Sequence, residues 1–221
     1  MLIGEGAVLL LRADRDFQRV YHVAESQAAL GAALGMLPPS GYVTDLVGNA
    51  DGLEAVRATY ARSGFEAYGF LQRMSRANAG EPCPGGDVLV ATAADAAETH
   101  AFLERLLDPL VEQIPTVDEL RQEAAAGHLL LVRREGAILG MLMFALKGVT
   151  GHLRFWHVDD TARGEGVGRR LLAGFFERCA RARRLVLWVV GDNDRSIAIY
   201  RHYGFSPDGL LDQVMIQRRE R

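Results

Sequence analysis

The chain has few cysteines, little net charge and no long apolar run, and each scarcity excludes a class of protein. Two cysteines, Cys83 and Cys179, are too few for a disulfide scaffold, and with the scattered histidines they form no metal-binding pattern. No apolar stretch reaches the roughly 20 residues of a transmembrane helix. A net charge of −3 argues against nucleic acid as a main partner. These observations predict a soluble globular protein with no metal, no membrane and no nucleic acid among its partners.

Lysine is nearly absent, because Lys147 is the only lysine among 25 basic residues. Together with abundant alanine and glycine, this preference for arginine indicates a GC-rich bacterial genome. The N-terminus has no basic region followed by an apolar core, so no secretory signal peptide is expected. The low cysteine content fits a reducing compartment. We therefore expect a cytoplasmic, bacterial protein.

The most informative stretch is a glycine-rich turn between an apolar run and an amphipathic helix. The run ends at Val158, and the turn after it contains Arg163, Gly164, Glu165, Gly166, Val167, Gly168 and Arg169. Three glycines let the backbone turn tightly with its amides converging on one point, and the helix adds the positive end of its dipole. The pattern predicts a loop that holds a pyrophosphate through main-chain N–H groups.

Other interpretations of a glycine-rich turn have to be weighed against this one. A P-loop is excluded because no Gly-Lys-Ser/Thr follows. A dinucleotide-binding fingerprint requires an acidic residue about 20 residues further on, and Asp192, which lies 24 residues after Gly168, leaves that interpretation open. A tight turn with no ligand is the third alternative. The sequence downstream decides among them.

A second motif follows, after one helix and one strand. Six apolar residues, Leu185–Val190, predict a buried strand. After it come Asn193, Ser196, Tyr200 and the pair Gly204-Phe205, with the spacing of a capped helix that ends at a left-handed glycine. This spacing is similar to the second signature of the GNAT superfamily of N-acetyltransferases, and Arg-x-x-Gly-x-Gly resembles the acetyl-CoA pyrophosphate loop of that family. By these two signatures in this order, the C-terminal part of the chain is identified as a member.

The resemblance implies a set of residues that bind acetyl-CoA, the co-substrate of the family. The strand before the loop would hydrogen-bond the pantetheine arm through the backbone of Trp156, His157 and Val158. The loop from Arg163 to Arg169 would surround the pyrophosphate. Asn193 would contact the cofactor arm, and the hydroxyl of Tyr200 would lie near the thioester sulfur.

Acetyl transfer to an amine requires a base that deprotonates the ammonium and an acid for the departing thiolate. Tyr200 suits the acid role, because an unperturbed tyrosine with a pKa of about 10 is protonated at neutral pH. Many members of the family carry a glutamate base six positions before the valine that precedes the loop. Here that position is His152, which departs from the family pattern but titrates in a suitable range. Further polar candidates are His157, Arg154 and Glu119. On strand alternation, Arg154 should share a face with His152 and Trp156.

The remaining C-terminal sequence fits a mixed-sheet α/β fold of the GNAT type. Strands are expected at 87–92, 128–132, 137–146, 152–159 and 210–217, the last after a turn at 206–209. Helices are expected at 95–113 and from a capping box at 116–119 to Gly127. The cofactor would lie at the carboxyl end of a central strand, as open sheets favour.

A stretch rich in proline and glycine at 78–86 indicates a domain boundary. We expect a linker at 81–86 between an N-terminal segment, 1–80, and a GNAT N-acetyltransferase domain, 87–221. A strand at 41–47 and a helix at 52–62 precede a second Tyr-x-x-x-Gly-Phe motif at Tyr60–Phe65. We interpret the N-terminal segment as a smaller, degenerate GNAT-like half without a pyrophosphate loop. Chance similarity of two helix ends is the alternative.

The resemblance implies an acetyl-CoA-dependent N-acetyltransferase that needs no metal. A primary amine of a small molecule or peptide would attack the thioester directly in a ternary complex, since no well-placed nucleophilic cysteine or serine is seen. A homodimer is compatible with this function. The alternative is a non-catalytic acyl-CoA-binding or regulatory module that keeps the loop without turnover.

Overall fold

The computed structural model describes residues 1–78 and 87–218. These residues contain eleven β-strands and six α-helices. These residues divide into two units. The first unit contains Met1–Arg73, Val189–Ile197 and Pro207–Arg221, and the second contains Met74–Trp188 and Ala198–Ser206. The expected linker at 81–86 and Cys83 lie outside the described residues. Over the described ranges, no helix is long and apolar enough to cross a membrane.

The elements follow one another with these bounds. The strands are β1 (Leu2–Gly4), β2 (Ala7–Asp14), β3 (Phe17–Ala24), β4 (Tyr42–Gly48), β5 (Glu66–Ala77), β6 (Leu89–Val90), β7 (Leu129–Arg134), β8 (Ala137–Lys147), β9 (Thr150–Val158), β10 (Arg184–Val190) and β11 (Ser206–Gln217). The helices are α1 (Gln27–Leu34), α2 (Ala50–Arg62), α3 (Ala96–Leu106), α4 (Val117–Ala125), α5 (Val167–Arg178) and α6 (Asp194–His202).

The first unit contains a mixed sheet whose strands run in the order β1-β2-β3-β4-β11. The β3–β4 pair is parallel and the other pairs are antiparallel. Alternate residues of these strands face a core that also contains residues of α1 and α2, including Leu30 and the fully buried Tyr60. The last strand of the chain therefore completes the sheet of the N-terminal unit, through seven residue pairs with β4.

The second unit contains the strand order β6-β7-β8-β9-β10, in which only the β9–β10 pair is parallel. One face packs against α3 and α4 in an apolar core that contains Phe102, Leu120 and Phe155. The other face packs against α5, where the Phe144 and Phe175 rings lie 5.7 Å apart. This arrangement gives a mixed α/β sheet with helices on both faces, which confirms the expected fold class.

Five consecutive elements of the first unit recur later in the chain. The order β3-α1-β4-α2-β5 matches β9-α5-β10-α6-β11, and in both sets the two strands that flank the first helix pair in parallel. Asn49 and Asn193 each accept a hydrogen bond from the backbone N–H three residues further on, at the start of the second helix. That helix is followed by a glycine with positive φ, 87° at Gly64 and 81° at Gly204. The recurring order of elements agrees with an internal repeat, and the GNAT-like character of the N-terminal half stays a prediction.

One helix of the second unit is shorter than the sequence predicted. A single turn of 3-10 helix, Ala93–Asp95, precedes α3, and α3 ends at Leu106, so the predicted helical continuation to residue 113 is wrong. The cause is Pro109, which has no N–H to donate and which disfavours a helical conformation at Asp108. Leu107 is already extended, with φ −112° and ψ 146°. The chain between α3 and α4 is therefore a loop.

The end of the chain also differs from the expectation. The predicted turn at 206–209 is wrong, because β11 begins at Ser206 and runs through these residues, with Gly209 in a left-handed conformation at φ 88°. Between β7 and β8 the chain turns at Glu135 and Gly136, which both have positive φ. The capping box is confirmed, with the Glu119 amide donating to Thr116 Oγ1 at 3.2 Å.

Candidate functional site

The site begins where β9 separates from β10. Their parallel pairing ends at Leu153 and Leu187, whereas β9 stays paired with β8 as far as Val158. From Arg154 to Val158, β9 therefore has a strand neighbour on one side only among the described pairs. The other edge of this segment can pair with an extended ligand, as an added strand would. The three residues predicted to bind a pantetheine arm, Trp156, His157 and Val158, lie on this segment.

A β-bulge in β9 reverses the sheet face on which the following side chains lie. Phe144 pairs with Leu153 and Met143 with Phe155, so Arg154 is the extra residue on β9. Beyond the bulge, Trp156 packs towards α5 and α6, whereas Arg154 forms a 3.8 Å ion pair with Glu123 on α4. The prediction that Arg154 and Trp156 share a face is therefore wrong, since alternation does not hold across a bulge.

The loop between β9 and α5 has an open, left-handed geometry. Gly164 and Gly166 have φ values of 87° and 76°, and a Cβ added at either glycine would meet no atom within 4 Å. The Asp159 side chain accepts a 3.0 Å bond from Thr161 N and fixes the entry of the loop. Glu165 pairs with Arg134 at 2.9 Å. The positive φ values favour glycine at both positions, and the space beside each Cα is open.

The first backbone amides of α5 receive no hydrogen bond from a capping side chain. Gly166 is the N-cap residue and offers no side chain, and the first intrahelical bond is donated by Arg170 to Gly166 O. The amides of Val167, Gly168 and Arg169 precede that bond at the positive end of the helix dipole. By contrast, the corresponding helix of the N-terminal repeat is capped by Ser26, which accepts from Ala29 N at 3.1 Å. Of these two helix starts, only that of α5 leaves its first amides without a side-chain cap.

An aromatic cluster adjoins the loop. The Trp156 ring lies 5.6 Å from Tyr200 and 6.4 Å from Tyr203, and its edge would lie 3.1 Å from a Cβ at Gly168. The indole Nε1 of Trp156 is buried and has no hydrogen-bond partner within the described residues. An unpaired buried donor costs free energy, so an acceptor at this position would be stabilised.

Tyr200 packs beside Trp156 and is buried, with 7% of its surface exposed. Burial, and then the negative charge of Glu112, raise the pKa of Tyr200 well above its usual value. The hydroxyl is therefore protonated throughout the physiological range. As a hydrogen-bond donor it suits a site where negative charge develops.

The other predicted candidates occupy different positions. Asn193 caps α6 by accepting from Ser196 N at 3.0 Å, so its predicted contact with the cofactor arm stays a prediction. His152 lies where β9 is paired on both sides, opposite Ala145 and Val186. Burial lowers the pKa of His157 to about 4, which makes it a neutral imidazole. Glu119 is held in its capping box by Thr116.

Glu112 was missed by sequence reasoning. It lies in the loop between α3 and α4, and burial, with the charge of Asp108, raises its pKa to about 7. The available signal was Pro109, because a proline there ends the helix and sends the following residues into a loop.

Among the described residues, no group of three or more His, Cys, Asp or Glu could hold a metal ion.

Comparisons with known proteins agree on one family. A model of the acetyltransferase (GNAT) family matches residues 89–205. A mycothiol acetyltransferase of Beutenbergia cavernae is 32% identical over 149 residues, which are 61% of this chain and 50% of that protein. The chain thus spans about half the length of this curated relative.

Solved structures of low sequence identity share the fold. A GCN5-related N-acetyltransferase from Sphaerobacter thermophilus superposes with a TM-score of 0.70 at 16% identity, covering 98% of this chain and 78% of that one. A tandem GNAT protein from the clavulanic acid biosynthesis pathway superposes with a TM-score of 0.66 at 12% identity, covering 97% and 79%.

Proposed function

The chain belongs to the acetyltransferase (GNAT) family, and from this premise we propose that it transfers the acetyl group of acetyl-CoA to a primary amine. The observation that carries the proposal is the open loop at the uncapped N-terminus of α5, reached by the free edge of β9. An anionic pyrophosphate and an extended pantetheine arm need these two features side by side.

The residues of the site divide into those for the phosphates and those for the arm. The phosphates would be held by the amides of Val167, Gly168 and Arg169, with the guanidinium groups of Arg163 and Arg169 adding positive charge. The arm would pair with the free edge of Trp156–Val158, and the orphaned Trp156 N–H supplies a further donor. Asn193, at the start of α6, is the remaining proposed contact.

When bound, acetyl-CoA supplies an activated acetyl thioester whose leaving group is a thiolate. Tyr200 would donate a hydrogen bond to that sulfur as its negative charge develops. A thiol with an ordinary pKa of about 8.5 is a stronger acid than Tyr200 in this site, so the tyrosine keeps its proton. Its role is thus electrostatic stabilisation, with the last proton of the thiol coming from the amine.

The acceptor must lose a proton before its nitrogen can attack. His152 stands at the position where the family resemblance implies a base, and it is the first candidate for that role. His157 is neutral and its lowered pKa makes it a weak base, so it serves better as a hydrogen-bond partner. Direct attack in a ternary complex requires no covalent acyl-enzyme.

The acceptor and partners follow from the same proposal. We propose a small molecule or peptide with a primary amine as acceptor, and a division of labour in which residues 87–221 hold acetyl-CoA. The N-terminal segment, 1–80, would shape the acceptor site or a homodimer contact. It would hold no second acetyl-CoA, because the turn before α1 is capped by Ser26 and contains no glycine.

A thioester-cleavage assay tests the function. The protein is incubated with acetyl-CoA and a panel of primary amines, and the release of free thiol is measured. We expect thiol release that depends on both the protein and one class of amine. Binding of acetyl-CoA without thiol release for any amine would instead indicate a regulatory acyl-CoA-binding module.

A further inference from the structure

The segment proposed to bind the pyrophosphate has a net negative charge of its own. Residues 159–169, which are the β9–α5 loop and the first residues of α5, contain three carboxylates but only two arginines, Arg163 and Arg169. Asp160 and Arg163 pair with each other at 2.5 Å, which leaves Asp159 and Glu165 against Arg169. Like charges repel an anionic ligand. Arginines from outside the segment that neutralise these two carboxylates would therefore favour anion binding.

Glu165, in the middle of the glycine loop, is paired with such an arginine. Arg134 is the last residue of β7, and its Nη1 donates to Glu165 Oε1 at 3.1 Å and to Oε2 at 2.9 Å. Both side chains are about half exposed, 51% for Arg134 and 43% for Glu165, so this pair contributes little to the stability of the fold. Its charges can be changed without disturbing a core.

The ion pair at the loop entry has a structural task as well. Asp159 Oδ1 accepts from the N–H of Thr161 at 3.0 Å and from its hydroxyl at 2.7 Å, and Asp159 Oδ2 accepts from Arg105 Nη2 at 3.0 Å. The bonds from Thr161, and then the charges of Arg105 and Arg163, lower the pKa of Asp159. Substitutions in this pair would change the shape and the charge of the loop together. The Glu165–Arg134 pair is therefore the better place to test charge by itself.

The charge of Glu165 is close enough to the first amides of α5 to act on a ligand there. Glu165 is two residues before Val167, so their Cα atoms are at most about 8 Å apart. This separation is no longer than the Debye length of about 8 Å at physiological salt. In water, a unit charge at about 8 Å changes the affinity for another unit charge two- to threefold, and for the two charges of a pyrophosphate roughly fivefold.

We propose that Arg134 is a positioning residue for acetyl-CoA, because it neutralises the Glu165 carboxylate beside the amides that would hold the pyrophosphate. The inference rests on the proposed binding of acetyl-CoA by this loop. Arg134 acts through Glu165 and not on the reacting atoms. The end of β7 thereby takes part in cofactor affinity, although β8 separates β7 from β9 in the sheet.

The test compares four full-length proteins, the wild type, Arg134→Gln, Glu165→Gln and the double variant, by calorimetric titration with acetyl-CoA at low ionic strength. R134Q should weaken binding roughly fivefold, because the Glu165 charge is then uncompensated. E165Q should tighten binding by a similar factor, because Arg134 then adds a positive charge. The double variant should bind within about twofold of the wild type. In 1 M salt, where the Debye length is about 3 Å, these differences should disappear.

The sign of the E165Q effect separates charge compensation from a structural role. If the pair only holds the loop in shape, E165Q and R134Q weaken binding alike, and the proposal is wrong. With an amine that is turned over, R134Q should raise the KM for acetyl-CoA and leave kcat unchanged. The Tm of each variant without ligand shows that it is folded, and we expect values close to the wild type because the pair is exposed.

A matched control is the Glu66–Arg218 ion pair of the first unit, which is also exposed and has the same 2.9 Å separation. Arg218→Gln should leave acetyl-CoA affinity unchanged, and a loss equal to that of R134Q would show that only the net charge of the chain matters. If the wild type binds acetyl-CoA and all four proteins bind alike, the role of Arg134 is wrong and the proposed function stands. If the wild type binds no acetyl-CoA, both proposals are wrong.

Discussion

Two tyrosines occupy the same place in the two repeats but have different surroundings. Each packs on the phenylalanine five residues later, with ring centroids 4.9 Å apart for Tyr60–Phe65 and 6.1 Å apart for Tyr200–Phe205. The Tyr60 hydroxyl is 2.9 Å from His22 Nδ1 and is fully buried. Tyr200 instead packs on Trp156, and burial, then the charge of Glu112, raise its pKa. The chain thus contains a matched pair of tyrosines, of which Tyr60 is bonded to His22 and Tyr200 is the one proposed to take part in catalysis.

This pair gives a controlled test of Tyr200. Tyr200→Phe keeps the ring and removes the donor, so turnover should fall roughly 10²-fold while acetyl-CoA affinity persists. Tyr60→Phe should leave turnover unchanged and lower the free energy of unfolding by about 1 kcal/mol, because it removes the bond to His22. Steady-state kinetics and thermal unfolding of both variants provide the readouts. An unchanged turnover number for Y200F would assign Tyr200 to packing.

Asp212 is a second residue whose environment makes a testable prediction. Its Oδ1 is buried without a partner in the described part of the chain, and burial, then the charge of Asp45, raise its pKa to about 7. Between about pH 4 and pH 7 the folded chain keeps a proton that the unfolded chain has released. This residue therefore lowers the free energy of unfolding as the pH rises through that window.

Asp212→Asn should accordingly raise the free energy of unfolding by roughly 1 to 3 kcal/mol at pH 8, with a gain that shrinks towards pH 4. Asp45→Asn is the opposite control, because Asp45 pairs with the fully buried Arg19 at 3.1 Å and its loss leaves that cation short of a partner. Thermal unfolding across this pH range measures both. A gain for D212N that is equal at pH 4 and pH 8 would show that the carboxylate charge is not the cause.

Among the secondary-structure elements, the start of α5 is the one proposed to bind the pyrophosphate of acetyl-CoA. Gly166→Glu adds a side chain and a negative charge where amides should meet a pyrophosphate, so the acetyl-CoA-induced rise in Tm should disappear. Gly148→Glu is the matched control, since Gly148 also has positive φ, 57°, and open space around it but lies in the β8–β9 turn. Thermal shift with acetyl-CoA compares the two. Normal acetyl-CoA binding by G166E would refute the loop assignment.

The elements around the loop could be predicted because their signals are local. The glycines of the β9–α5 turn, the caps of α6 and the capping box of α4 each depend on a few neighbouring residues. The strand β9 and the run before α6 were likewise visible in the apolar pattern. These motifs sufficed to predict the β9–α5 loop and the start of α6 to within a few residues.

What could not be predicted depends on distant parts of the chain. The bulge at Arg154 is set by the register between β8 and β9, and no residue type in β9 announces it. Pro109 indicates the end of α3, whereas Leu106, Leu107 and Leu110 keep a helical spacing past that end. The apolar spacing alone therefore predicts a helix that is too long.

At the scale of the whole molecule, the repeats are not independent stretches of sequence. The sheet of the first unit contains β11, which pairs with β4 from Leu211↔Gly48 to Gln217↔Tyr42. A fragment of residues 1–80 lacks this strand and leaves the edge of β4 without a partner. We expect the fragment to show no cooperative unfolding transition by circular dichroism. A sharp transition like that of the full chain would contradict the role of β11.

We propose that one chain binds one acetyl-CoA, at the glycine loop between β9 and α5. Calorimetric titration of the full chain with acetyl-CoA tests it most directly, with G166E titrated in parallel. We predict a stoichiometry of one per chain for the wild type and no measurable binding for G166E. Two sites per chain, or no binding to the wild-type chain, would contradict the account.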